Sequence, residues 1–194
     1  MFSFDGVVLK KIKVKDNKHY ISVFSKEYGK ISAWHTESKS KISIDIGNIY
    51  NFSSKTDNGI NKIDSFKTKN IINTASLGYR EINNILQINF YLEKVLPNGM
   101  VLENIFDNYV DCSKYFELNE ENKKSSVFFT LKLLKTLGIA KTPEISDSSK
   151  NFIKIFGVID IYKISVLMKI EGLDNSIFEE IEKFNTNTLT YYIN

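Results

Sequence analysis

The single tryptophan and the lysines around it carry the most suggestive chemistry in this sequence. Alternation along residues 30–35 puts Lys30, Ser32 and Trp34 on one side of a strand, with Ile31 and Ala33 on the other. Lys11, Lys13 and Lys15 recur at every second position. On one extended strand they stand about 7 Å apart along a common side. Lys39 and Lys41 follow Trp34 in a short Ser/Lys tract. An accessible indole among ammonium groups suits an unpaired polynucleotide. A base stacks on the ring, worth about 1–3 kcal/mol, and the phosphates follow the cations. Lysine meets phosphate as a point charge and reads no base, so such a surface binds without sequence preference. Each feature also has a plainer reading. Strand lysines solvate a surface or guard an edge, Trp34 packs beneath a helical layer, and Lys39 and Lys41 belong to an ordinary loop.

Catalytic patterns are sparse. The two histidines, His19 and His35, belong to neither an H-x-x-x-H nor an H-E-x-x-H pattern, so a zinc site lacks ligands. No G-x-S-x-G elbow and no phosphate-cradling Gly-Lys-Ser/Thr loop is present. Cys112 is the lone cysteine, which excludes an internal disulfide and reads as a half-buried thiol on a helix. Asp5, Asp16, Asp45, Asp57 and Asp64 fall mostly at turns, where aspartate caps backbone groups. The expectation is a non-enzymatic protein with no metal and no cofactor.

These residues need a scaffold. With 42% hydrophobic and 13% aromatic residues, the 194-residue chain can build real cores and is not of the disordered class. No apolar run is long enough to span a membrane, and the first residues lack a secretory-signal layout. A cytoplasmic protein is expected. Charge is unevenly spread. Residues 1–75 hold 13 lysines against 7 carboxylates, a balance of +6; residues 76–194 hold 13 cations against 16 carboxylates, a balance of −3. A basic front half points to a polyanion partner, while the same lysines also fit a chain rich in Lys, Asn and Ile throughout.

The front half reads as strands. Residues 6–15 alternate, with Val8, Ile12 and Val14 expected on one face and the lysines on the other. Further strands are expected at 18–25, 30–35, 47–53 and 60–66, the last two joined by the hairpin signal Asp57-Asn58-Gly59. Five short antiparallel strands in this length suggest a small closed barrel more than a sandwich. From Ala75 the period becomes helical. Ile85, Ile88, Leu92 and Val95 form one stripe that stops at Pro97-Asn98-Gly99, and residues 100–116 form a second helix. Asn119 is the expected N-cap of a third, which ends at Gly138 before Pro143. Helical segments at 149–156, 159–171 and from Ser176 complete the chain. The expected fold class is α+β, a five-stranded barrel over residues 1–72 followed by an all-helical domain over 73–194.

Three stretches in order carry a family likeness. They are G-V-V-L-K-K (Gly6 to Lys11) with V-F-S-K-E-Y-G-K-I-S-A (Val23 to Ala33); Y-L-E-K-V-L-P-N-G (Tyr91 to Gly99); and F-F-T-L-K-L-L-K-T-L-G-I-A-K-T-P (Phe128 to Pro143). Together they resemble the RecO family of bacterial recombination mediators along most of the chain. The resemblance implies an OB-fold barrel as candidate single-strand-binding domain and a helical domain for partner docking. It further implies binding and annealing of single-stranded DNA, help in loading recombinase onto DNA coated with single-strand-binding protein, and a nucleoid-associated location. RecR and the C-terminal tail of the single-strand-binding protein would be the partners. The candidate DNA-binding set is Lys11, Lys13, Lys15, Lys30, Trp34, Lys39 and Lys41. Two departures stand out. The family's arginine-bearing basic loop reads H-T-E-S-K-S-K here, and Pro143 runs straight into E-I-S-D-S-S where many members carry four zinc-binding cysteines. Two other functions fit the same residues: a protein-interaction scaffold, and an RNA-binding OB-fold module.

Overall fold

The computed structural model describes residues 1–37, 43–140, 147–158, 164–169 and 175–193. Five strands close into a barrel in the order β1-β2-β3-β5-β4: β1 Phe2–Lys15, β2 Lys18–Ser25, β3 Gly29–Thr36, β4 Ile49–Asp57 and β5 Ile60–Asn70. Every neighbouring pair is antiparallel except β3 with β5, which meet in parallel at Ala33 with Asn61 and Trp34 with Lys62. A closed barrel of this strand order followed by helices is the expected OB-fold with a helical region. Its interior is filled by Phe4, Val8, Ile21, Ala33, Tyr50 and Phe52, among others. Local sequence explains the turns. Asn58 (φ 50) and Gly59 (φ 76) take the two left-handed positions of a tight hairpin between β4 and β5. Ser25 Oγ accepts from the backbone N–H groups of Glu27 and Tyr28, both at 3.2 Å, and fixes the β2–β3 turn.

The first strand departs from simple alternation. Val8 is in register with Val23 but Lys10 with Ser22, so Leu9 is an extra residue; a second shift follows between Lys13 and Lys15. Each bulge turns the following side chains to the other face. Val8 is therefore in the core, whereas Ile12 and Val14 are 41% and 54% exposed. The expected single face of Val8, Ile12 and Val14 is broken, and so is the single row of Lys11, Lys13 and Lys15.

The helices are α1 Tyr79–Val95, α2 Glu103–Ser113, α3 Asn119–Thr136, α4 Asp147–Val158, α5 Ile164–Leu167 and α6 Asn175–Ile193, with a 3-10 turn at Thr74–Ser76. The chain divides into two compact units, Met1–Phe106 and Asp107–Asn194. In the first unit α1 lies against β1 and buries the expected stripe of Ile85, Ile88, Leu92 and Val95. Ser22 Oγ donates to the Glu93 carboxylate (2.5 Å) and Lys30 Nζ to the Glu93 carbonyl (2.6 Å), tying the end of α1 to β2 and β3. In the second unit α3 packs on α4, α5 and α6. Its cap position is Leu118, not Asn119, and no side chain caps it. Cys112 is fully buried rather than half-buried, and burial pushes its thiol up to about 12. The expected segment at 159–171 falls partly outside the described residues.

Asp111 is the second unit's notable buried carboxylate. Burial pushes its carboxyl up, but a 2.6 Å hydrogen bond from the Ser165 N–H and one from Lys114 outweigh that and hold it below the usual range. A depressed folded pKa adds stability above the unfolded value that is lost as pH falls through the folded one. Asp111→Ala is expected to cost about 1–3 kcal/mol at neutral pH by leaving the Ser165 donor unpaired. Thermal unfolding at neutral and acidic pH checks this, with the variant losing less stability on acidification than wild type.

Candidate nucleic-acid interface

Direct register pairs share a face of the sheet, so one row can be traced across the barrel. Ile12 pairs with Tyr20, Tyr20 with Trp34, Trp34 with Lys62, and Lys62 with Lys55. Ala33, the neighbour of Trp34, points into the core; Trp34 itself is half-buried on the outer side. Its ring and that of Tyr20 form a T-shaped pair, 6.0 Å between centroids and 77° between planes. Tyr20 donates its hydroxyl to Ser32 Oγ at 2.6 Å, which holds the tyrosine side chain in place. Tyr20 is thus held by a hydrogen bond, and the two partly exposed rings stand nearly perpendicular beside each other.

Cations border this row. Lys10, in register with Ser22, and Lys15, in register with Lys18, share its outer side; all three lysines are exposed. At the far end, Lys62 pairs with Asp57 at 2.5 Å and Lys55 with Asp64 at 3.3 Å, with side-chain exposures of 45–57%. Exposed pairs of this kind contribute at most about 1 kcal/mol and exchange partners readily.

The candidate residues named from sequence are divided by the fold. Trp34 and Lys15 lie on the row's side. Lys11, beyond the first bulge, is in register with the core residue Ile21. Its side chain is 18% exposed and bonds Glu37 Oε1 at 2.5 Å, Ser43 Oγ at 2.9 Å and the Ile44 carbonyl at 3.0 Å. That hydrogen bond, aided by the lysine's charge, holds the Glu37 carboxyl below the usual range against the opposing effect of burial. Lys13 is exposed but in register with His19, on the Lys11 side of the strand. Lys30 shares the Trp34 side, yet its ammonium is held by the end of α1. Lys39 and Lys41 lie outside the described residues.

Sequence reading missed Tyr20, Lys62 and Lys55. The first was legible: the turn that opposes Ser25 to Gly29 also opposes Tyr20 to Trp34. The lysines require the parallel β3–β5 closure, which no local signal announces. The two histidines are in register with each other and buried, His19 with Nδ1 3.8 Å from Glu37 Oε2. Among the described residues no group of three or more His, Cys, Asp or Glu side chains could hold a metal ion, and no helix is long and apolar enough to cross a membrane. Compared with known proteins, the chain matches no family model and no curated protein.

Proposed function

We propose that this protein binds and anneals single-stranded DNA on the outer face of β2 and β3, as a non-enzymatic mediator of recombinational repair of the RecO kind. One observation carries the binding half of this reading: the Tyr20–Trp34 pair is partly exposed on the outer side of an OB-fold barrel and in register with hairpin lysines. The outer surface of strands 2 and 3 is where OB-folds take oligonucleotides, and aromatic stacking beside ammonium groups tolerates every base. The process, loading of recombinase in concert with RecR and the single-strand-binding protein's C-terminal tail, rests on the three stretches that resemble that family.

The test is a titration of fluorescent oligo-dT at two salt concentrations. Affinity is expected to fall steeply as salt rises, with log K decreasing by about 0.7 per phosphate contact for each decade of salt. Complementary oligonucleotides are expected to anneal faster in the protein's presence. Absence of oligo-dT binding at low salt defeats the reading and favours the interaction scaffold, in which the lysines only solvate the barrel. Tighter binding of oligo-U than of oligo-dT moves the ligand from DNA to RNA.

A further inference from the structure

Resting on that binding site, which in OB-folds extends onto the loop between strands 4 and 5, we infer that Asp57 and Asp64 are a built-in electrostatic brake on the hairpin lysines Lys62 and Lys55. The row from the aromatic pair leads to Lys62 and then Lys55, one strand spacing of about 4.8 Å at a time. A strand whose base lies on Trp34 therefore reaches these two ammonium groups with its neighbouring phosphates. Both already hold an acidic oxygen, from Asp57 and Asp64. These carboxylates occupy the positions that phosphate oxygens would take. Because all four side chains are substantially exposed, exchange of carboxylate for phosphate needs no unfolding. It does leave two displaced anions beside the incoming strand, so each phosphate gained is partly offset by repulsion. The hairpin has room for a ligand at its tip, since a Cβ at Gly59 would meet nothing within 4 Å. Lys11 and Lys30, committed to Glu37 and to the carbonyl of Glu93, are not the phosphate contacts of this path.

The brake predicts opposite signs for neighbouring substitutions. Lys55→Ala with Lys62→Ala is expected to weaken oligo-dT binding about tenfold and to make the salt slope shallower by about 1.4, two contacts on a single strand. Asp57→Asn with Asp64→Asn is expected to tighten binding by about two- to fivefold per substitution, the range of an exposed charge pair, and to steepen the slope. Lys67→Ala, which removes one lysine charge from β5 away from the row, is the control and should change affinity by less than about twofold. Fluorescence anisotropy at several salt concentrations measures all of these, and circular dichroism verifies the fold of each variant. If wild type binds with steep salt dependence but the Lys55/Lys62 variant behaves like Lys67→Ala, or the asparagine variant binds no tighter, the hairpin assignment is wrong while the DNA reading stands. If wild type binds no oligo-dT at all, the DNA reading itself has failed.

Discussion

Trp34→Ala is expected to weaken oligo-dT binding by about 1–3 kcal/mol, or about 5- to 150-fold, with the salt slope unchanged. The affinity falls because a base loses its stacking surface; the slope holds because no cation is removed. The barrel is expected to survive, since the inward neighbour Ala33, not Trp34, belongs to the core. Trp34→Phe should recover part of the loss by restoring a flat ring. The wild-type protein offers a second readout. Trp34 is the only tryptophan among 10 tyrosines and 14 phenylalanines, so indole emission should be quenched as oligo-dT binds. Unchanged affinity and unquenched emission would falsify stacking on this ring. Loss of the folded barrel in the alanine variant would show that the indole is structural instead.

Gly29→Ala should be the most damaging conservative change in the first unit. Gly29 has φ 67, a conformation costly for any residue with a Cβ, and an added Cβ would lie 2.2 Å from the Met100 carbonyl oxygen and 2.4 Å from its carbon. Both atoms are backbone and cannot swing aside. The segment after α1 is held there by a hydrogen bond from the Gly99 N–H to the Lys30 carbonyl (2.9 Å) and by the parallel bridge of Lys30 with Asn98. Relief of the clash must break that edge. Left-handed strain of about 1–3 kcal/mol adds to a comparable overpacking cost, giving about 2–6 kcal/mol. Gly59→Ala separates the two contributions, because its φ of 76 is equally unfavourable but its Cβ would meet open space. It should cost the strain alone, about 1–3 kcal/mol. Urea unfolding followed by Trp34 emission reports on the barrel's own unit. Equal midpoints for the two variants would mean that the Met100 contact does not constrain the turn.

The sequence alone determined what local chemistry dictates. Asn58-Gly59 declares a tight hairpin because both positions need positive φ, and β4 and β5 meet there. Pro97 with Gly99 ends α1, and the 3.6-residue stripe from Ile85 to Val95 is the buried side of that helix. Alternation from Lys30 to His35 places Trp34 opposite Ala33, because nothing interrupts β3. Only the tertiary structure decided which lysines share that side. The bulges at Leu9 and Val14 arise from matching β1 to β2, and each reverses the faces beyond it, so Lys15 joins the Trp34 side while Lys11 turns to Glu37. Lys62 and Lys55 reach the row through the parallel contact of β3 with β5, a pairing set by closure of the whole barrel. Side-chain direction within one uninterrupted strand is a local property. Which cations gather around an aromatic ring depends on register between strands far apart in the chain, and register is settled only when the barrel closes.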